Sequence, residues 1–333
     1  MRQTTIHEKS SKALELFTNI PRRRLLNFNT PVEQLARLQR AIPGAPLLWI
    51  KRDDLTGYFG GGNKLRKLEY VFADALAQGA TTIVTTGSIT SNLARTAALV
   101  ARRLGLKCEL ILSGRHPKSA HANWRVTELL GVKIHRVAAS SQRASRMQEV
   151  AQELEARGER VYQIPLGASN EIGSFGMVSA FEELGIQQLE FGEQFDAIVF
   201  ATSSGGTQAG LEVGKRLFNY PDLQLLGVSA DDPAETIKEN SLLVIGPMLA
   251  MLGLSDMVRE LSVDERFIGD GYAIPTSESQ EAARIFAETE GVLLDPVYTS
   301  KAAAGLIAYC REGRFKQSDR VLFWHTGGVL TLL

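Results

Sequence analysis

The fold class of this chain follows from one segment, Thr81-Thr-Ile-Val-Thr-Thr-Gly-Ser-Ile-Thr-Ser-Asn92. Its first six residues are typical of a buried strand, and the residues from Asn92 to Leu104 carry Leu, Ala and Val at helical spacing. A second strand-like run follows at Lys107–Leu112. A strand, a helix and a strand in this order predict a parallel βαβ unit.

The same alternation continues on both sides of this segment, which predicts an α/β protein built from three-layer α/β/α domains with mostly parallel sheets. Further strands are expected at Leu47–Lys51, Lys133–Val137, Arg160–Ile164, Asp196–Ala201, Gln224–Ser229 and Arg320–His325. Further helices are expected at Ala122–Gly131, Ser141–Arg157, Gly173–Glu183, Gly206–Phe218, Ser277–Glu290 and Thr299–Glu312, and the apolar stretch Gly246–Arg259 is also helix-like.

Composition narrows the class of function. The 333 residues include 37 Lys+Arg and 37 Asp+Glu, and a chain without a basic excess is not expected to bind nucleic acid. Two cysteines cannot form a disulfide framework, and the five histidines lack metal-ligand spacing, so no metal is expected. No run approaches the ~20 apolar residues of a membrane helix, and Met1–Phe17 lacks a signal-peptide core. We expect a cytoplasmic protein that acts on a small molecule.

The densest group of candidate functional residues is Tyr58-Phe-Gly-Gly-Gly-Asn-Lys-Leu-Arg-Lys-Leu-Glu69. Asn63 is expected to cap a helix that begins at Lys64. An amine at a helix N-terminus lies in a positive partial field, which disfavours protonation and makes Lys64 a better nucleophile. Lys67 lies one turn further on the same face, where it could pair with an anionic group. A glycine turn followed by a solvated basic helix is the alternative.

Four more polar clusters follow or flank predicted strands. Ala201-Thr-Ser-Ser-Gly-Gly-Thr-Gln-Ala-Gly210 could surround a phosphate but lacks the Gly-Lys-Ser/Thr end of a nucleotide P-loop, while Asp231 after the next strand keeps a dinucleotide site open. Strand-to-helix turns of a doubly wound sheet share the carboxyl edge, where ligands bind. The other clusters are Thr85–Asn92, Leu294–Lys301 and His325–Gly328.

Taken in order, these motifs resemble the pyridoxal-phosphate (PLP) enzymes of fold type II, which have the tryptophan synthase β-like fold. Within that fold type they resemble the branch of 1-aminocyclopropane-1-carboxylate (ACC) deaminase and D-cysteine desulfhydrase. The resemblance implies a homodimer and a large domain of residues 1–66 plus 173–333. It also implies a small domain of residues 67–172, with the active site in the cleft between the two domains. The matching segments are Gly61–Glu69, Ser91-Asn92, Ile164–Asn170, Gly205–Gly210, Asp295–Tyr298 and His325–Gly328.

The resemblance also implies roles for individual residues. Lys64 would form the Schiff base with PLP, Asn92 would contact the ring hydroxyl, and Tyr298 would face the ring as a catalytic residue. Ser91, also catalytic, would bind the substrate carboxylate with its neighbours, and Thr299 or Thr326 would approach the pyridine nitrogen. The remaining cofactor residues would be Asn63, Lys67, Ser204, Gly205, Gly206 and Thr207, and the substrate site would include Thr90, Ser91, Asn92, Leu93 and Tyr298.

Position 299 favours one reaction over another. ACC deaminases resemble one another in having a glutamate there, whereas Thr299 is neutral, which makes the ring a weaker electron sink. A weaker sink suffices when a good β-leaving group departs. We therefore expect a PLP-dependent carbon–sulfur lyase that converts a small β-substituted amino acid, D-cysteine-like, to pyruvate, ammonia and the leaving group.

Three alternatives stay open. ACC deaminase is the first. A nearby Arg115-His116 pair suggests an L-cysteate sulfo-lyase-like activity as the second. The family usually has Gln-Ser-Asn-His where this chain has Thr90-Ser-Asn-Leu93, so a PLP- or amino-acid-binding protein with little turnover is the third.

Overall fold

Two separate sheets organise the chain in the computed structural model, which describes residues 11–58, 60–114, 121–255, 258 and 260–332. The larger sheet has six strands in the order β1-β2-β10-β7-β8-β9. Only the β1–β2 pair is antiparallel among its five strand pairs. Its strands are β1 (Val32–Gln34), β2 (Leu47–Arg52), β7 (Ala197–Thr202), β8 (Gln224–Ser229), β9 (Ser262–Asp264) and β10 (Arg320–His325).

The smaller sheet has four parallel strands in the order β5-β4-β3-β6. Its strands β3 and β4 end in register, so that Ser88 lies beside Ser113 at the carboxyl edge. This register places the turns after both strands on one side of the sheet. The strands are β3 (Thr82–Ser88), β4 (Lys107–Ser113), β5 (Lys133–Val137) and β6 (Val161–Ile164).

Helices cover both faces of each sheet. Side chains of β7 alternate between two cores: Val199 packs on the side of α10 and α11, and Ile198 packs on the side of α7 and α8. In the small sheet, Ile83 faces α3 and α4, whereas Val84 faces α6. The expected pair of three-layer α/β/α units is therefore confirmed. The helices are α1 (residues 11–18), α2 (Ala36–Ala41), α3 (Asn63–Ala77), α4 (Asn92–Arg103), α5 (Ala122–Leu129), α6 (Arg143–Glu155), α7 (Glu171–Phe191), α8 (Gly206–Leu217), α9 (Ala234–Met251), α10 (Ser277–Glu290) and α11 (Thr299–Arg311).

Two predicted helix limits are wrong, for identifiable reasons. The stretch Gly246–Arg259 is helical only as far as Met251, because Gly253 takes a left-handed φ of 65° and closes the end of α9. Residues 256, 257 and 259 of that stretch lie outside the described ranges. Helix α7 continues eight residues beyond the predicted end at Glu183, until Gly192 with a φ of 69° ends it.

A buried ionic network holds the start of α3 in place. Arg66, which is 1% exposed, donates to both carboxylate oxygens of Asp53 (Nη2–Oδ1 2.7 Å, Nε–Oδ2 2.8 Å) and to Glu183 (Nη1–Oε2 2.9 Å). Lys51 also pairs with Glu183, and the Thr30 hydroxyl donates to Asp53. The network links β2, α3 and α7 directly behind the segment that carries Lys64.

The strands of the small sheet all fall within residues 67–172, and those of the large sheet fall outside that range. Helix α3 crosses the boundary drawn between residues 66 and 67, and it packs on α7 of the large part. The exact domain boundaries stay a prediction. Among the described residues, no helix combines the length and the apolar composition needed to cross a bilayer.

Candidate active site

A cavity of about 660 Å³ lies where the carboxyl ends of the two sheets face each other. This volume is in the range of small-molecule sites. Five of the predicted site residues do not line it: Lys67, Thr90, Gly205, Gly206 and Thr299. The predicted residues that do line it are Asn63, Lys64, Ser91, Asn92, Leu93, Ser204, Thr207, Tyr298 and Thr326.

Lys64 supplies an amine suited to nucleophilic chemistry. Burial lowers its pKa to about 8, against the opposing charges of Asp295 and Asp231. Its Nζ donates to Asn63 Oδ1 at 3.1 Å. At neutral pH, a larger fraction of this amine is therefore uncharged than of an exposed lysine.

The predicted role of Asn63 as a helix cap is wrong. Helix α3 begins at Asn63 itself after Gly62, whose φ of 113° is in the range that favours glycine. The Asn63 backbone N–H donates to the Thr326 carbonyl at 2.9 Å, and its side-chain amide donates to Thr207 Oγ1 at 3.0 Å. Asn63 thus connects the start of α3 to the residue that follows β10 and to the first turn of α8.

Lys67 is a buried cation without a carboxylate partner among the described residues. Within the described ranges its Nζ donates only to the Gly167 carbonyl at 3.2 Å and to Ser169 Oγ at 3.3 Å. Burial, and then the neighbouring Lys64, hold the pKa of Lys67 well below its ordinary value. A bound anion would stabilise this charge, which is the observation that fits the site to a phosphate.

The turn before α8 leaves space for that anion. Gly205 has a φ of 80°, and a Cβ added to Gly206 would lie 2.5 Å from Ser169 Oγ and 2.8 Å from Lys67 Nζ. The Ser169 and Ser204 hydroxyls are 2.8 Å apart. Backbone N–H groups at a helix N-terminus next to bare glycines form a ready anion site. Ser169 lies within the motif Ile164–Asn170, but no role was predicted for it from the sequence.

The small-sheet wall presents polar donors at the start of α4. Ser91 caps α4, and its Oγ accepts from the Ala94 N–H at 3.2 Å, which leaves the hydroxyl proton available. Asn92 Oδ1 accepts from Asn123 Nδ2 at 2.9 Å, so the Asn92 amide N–H groups remain as donors toward the cavity. The Thr90 carbonyl accepts from Asn123 Nδ2 at 2.7 Å, and Thr90 does not line the cavity.

A chain of hydroxyls crosses the cavity from one sheet to the other. The hydroxyl oxygens of Tyr298 and Tyr272 are 2.8 Å apart, and the Tyr272 hydroxyl oxygen is 3.2 Å from Ser88 Oγ. Burial raises the pKa of both tyrosines, so each remains protonated at neutral pH. The sequence patterns missed Tyr272 because it lies in an irregular segment. Lys301 ties that segment down by donating to the carbonyls of Ile268 and Gly271 at 2.7 and 2.8 Å.

The two threonines expected near a pyridine nitrogen differ in placement. Thr326 lines the cavity at the end of β10. Thr299 is fully buried, and its hydroxyl donates to Asp295 Oδ1 at 2.7 Å and accepts from the Asp295 N–H at 2.8 Å. Its hydroxyl proton is therefore engaged by Asp295, within the turn that starts α11. Arg115 and His116, which suggested a further anion preference, lie outside the described residues.

A lysine whose pKa is lowered to about 8, one helical turn from a site that fits a phosphate, is suited to an enzyme that works through a phosphorylated aldehyde cofactor. Comparison with known proteins agrees. The family model described as pyridoxal-phosphate dependent enzyme matches residues 24–327. The chain belongs to this family of PLP-dependent enzymes, and the resemblance noted from the motifs is confirmed.

Named relatives and solved structures fit the same assignment. A protein named D-cysteine desulfhydrase from Klebsiella pneumoniae (strain 342) is 36% identical over 327 residues, which cover 96% of this chain and 98% of that one. One of the same name from Salmonella typhi is 37% identical over 326 residues, covering 96% and 97%. A solved structure described as an ACC deaminase homologue superposes with a TM-score of 0.89 at 34% identity, covering 97% and 96%.

Proposed function

We propose that this PLP-dependent enzyme is a carbon–sulfur lyase that removes the β-substituent of D-cysteine or a similar amino acid, giving pyruvate, ammonia and sulfide. Relatives named D-cysteine desulfhydrase, which match nearly the whole chain, support the proposal. The observation that carries it is that both positions expected near the pyridine nitrogen hold neutral threonines: Thr326 lines the cavity, and Thr299 is buried with its hydroxyl bonded to Asp295. Elimination of a good leaving group does not require a carboxylate at that position.

The cavity supports the following assignment of the residues that would hold PLP. Lys67 and the turn Ser204–Thr207 would bind the phosphate, and Asn92 would donate to the ring hydroxyl. When bound, PLP supplies stabilisation of negative charge at the α-carbon of the substrate. Thr326 would lie near the ring nitrogen, since it lines the cavity and Thr299 does not.

The remaining steps fall to side chains of this chain. Ser91 and the N-terminus of α4 would bind the substrate carboxylate, because that helix end offers free donors and a positive partial charge. Lys64 would take the α-proton as general base, which its pKa of about 8 suits. The Tyr298 hydroxyl, kept protonated by burial, would supply a proton to the departing sulfur.

We further propose that the protein is a cytoplasmic homodimer. The dimer is supported by the resemblance to fold type II enzymes. A reducing compartment such as the cytoplasm is supported by Cys108 and Cys310, which are both free and buried. Light scattering on the purified holoenzyme tests the dimer, and a mass of about 36 kDa would contradict it.

Product assays on the purified holoenzyme test the reaction. We expect sulfide and pyruvate from D-cysteine, less from L-cysteine, and no 2-oxobutyrate from the cyclopropane acid. The opposite result, with 2-oxobutyrate and no sulfide, would identify an ACC deaminase. A protein that binds PLP but forms no keto acid from a broad panel of D- and L-amino acids would be a binding protein with little turnover.

A further inference from the structure

Polar side chains continue along the carboxyl edge of the small sheet beyond Ser91 and Asn92, which are proposed to contact the substrate carboxylate and the cofactor. Ser88 and Ser113 are the last residues of neighbouring strands and lie in register, and Ser140 follows β5 by three residues. All three line the cavity. They form a row of hydroxyl groups that leads from the tyrosine chain, through Ser88, toward the start of α6.

Arg143 ends this row with a positive charge. It is the first residue of α6, its Nε donates to the Ser140 carbonyl at 3.1 Å, and it lines the cavity. No carboxylate lies within ion-pair distance of its guanidinium among the described residues. A cation at a helix N-terminus opposes the helix dipole, so this position gives the fold no electrostatic benefit. Arg146, one turn further, instead pairs with Glu149 and Glu153 at 2.9 and 3.0 Å.

Ser113 gives an independent indication of a ligand at the same place. It is only 7% exposed, and its hydroxyl has no hydrogen-bond partner within the described part of the chain. Because Ser113 lines the cavity, its hydroxyl is available there to donate to a ligand or to water. Ser113 lies between Ser88 and the Arg143 region along the edge of the sheet.

The other anion-binding groups are already assigned by the proposed function. Lys67 and the Ser204–Thr207 turn take the cofactor phosphate, and Ser91 with α4 takes the α-carboxylate. We propose that Arg143, Ser113 and Ser140 form a further subsite for an oxyanion at the distal end of the β-substituent. The inference rests on the proposed elimination and names its substrate class, amino acids whose leaving thiol carries a carboxylate or similar group. Asp231 and Asp232 line the large-sheet wall and would repel such a group toward Arg143.

S-carboxymethyl-D-cysteine is a suitable probe of this class. In its elimination the α-proton goes to Lys64, the Cβ–S bond breaks with its electron pair on sulfur, and the sulfur takes up a proton. One water is consumed overall, and the products are pyruvate, ammonia and mercaptoacetate. The matched ligand is S-carbamoylmethyl-D-cysteine, which replaces the distal carboxylate with a neutral amide of the same shape.

The test compares kcat/KM and the calorimetric Kd of the acid and the amide on the holoenzyme. We expect the wild type to favour the acid by about tenfold or more, since a hydrogen bond to a charged group of this kind supplies at least that factor. The variant Arg143→Gln should bring the acid-to-amide ratio close to one, and Ser113→Ala should reduce it. Arg146→Gln, on the same helix, should leave the ratio unchanged.

A wild-type ratio near one, or a ratio that Arg143→Gln does not change, would overturn the subsite. D-cysteine is assayed in parallel to separate the two proposals. If D-cysteine is converted and the acid is not preferred, only the subsite fails. If no substrate is converted, the proposed elimination reaction is wrong. The Kd ratio of the two ligands then still decides whether Arg143 binds the distal anion.

Discussion

Replacing Arg66 by methionine tests whether the buried ionic network positions the start of α3. The substitution keeps most of the side-chain volume but removes the guanidinium that bonds both oxygens of Asp53 and of Glu183. Asp53 is fully buried, and among the residues that the structure describes its carboxylate keeps only the Thr30 hydroxyl and the Trp324 indole N–H as donors. Leaving a buried charge without its partner costs about 3–5 kcal/mol.

Urea unfolding followed by circular dichroism gives the change in the free energy of unfolding. The control is Arg284→Gln, which removes an exposed pair with Glu288 on α10 and should cost less than about 1 kcal/mol. A loss for Arg66→Met no larger than that of the control would refute the reasoning. PLP affinity should fall in the same variant, because Lys64 and Lys67 flank Arg66 on α3.

The network also predicts how stability depends on pH. Burial alone would raise the pKa of Glu183, but its bonds to Arg66 and Lys51 prevail and lower the pKa to about 2. A carboxylate whose pKa is depressed in the folded state stabilises the fold above its unfolded value near 4.5, and that stability is lost as the pH falls toward 2. In Arg66→Met this part of the pH dependence should be weaker.

Three further predictions concern the cavity. In the apoenzyme, labelling of Lys64 by an amine-reactive reagent should rise with pH around 8, read by peptide mass spectrometry; a midpoint near 10.5 would contradict the lowered pKa. Gly206→Ala places a methyl group against Ser169 and Lys67 and should weaken PLP binding at least tenfold by fluorescence titration, whereas Gly246→Ala, with open space around it, should not. Lys67→Met should also weaken PLP binding tenfold or more, yet leave the apoenzyme as stable or more stable by urea unfolding, since folding no longer has to desolvate or deprotonate a lysine whose pKa is held well below its ordinary value; a large loss of apoenzyme stability would show that Lys67 mainly supports the fold.

Much of the fold and of the site could be predicted because both depend on local patterns. Fully apolar strands such as β7 indicate parallel sheets covered on both faces, and the turns after such strands must share one edge. This is why Lys64 lines the same cavity as Ser204 and Thr207, which lie more than 130 residues further along the chain.

Other features depend on tertiary contacts that no local pattern contains. Tyr272 reaches the cavity because Lys301, in a distant helix, binds the carbonyls of its loop. Asn63 is a residue type that often caps helices, but a glycine with positive φ precedes it, and its Oδ1, the atom that a cap would use, accepts from Lys64 Nζ. The neutral character of Thr299 was readable from the sequence, whereas its engagement with Asp295 was not.

That engagement has a consequence for redesign. A glutamate introduced as Thr299→Glu, in the hope of turning an eliminating enzyme into a ring-opening one, would bring a second negative charge against Asp295 in a place that water does not reach. It would also remove the hydroxyl on which the first turn of α11 is built. Thr299→Glu should therefore lower the free energy of unfolding, because Asp295 loses both of its hydrogen bonds with the Thr299 hydroxyl and gains a second carboxylate beside it.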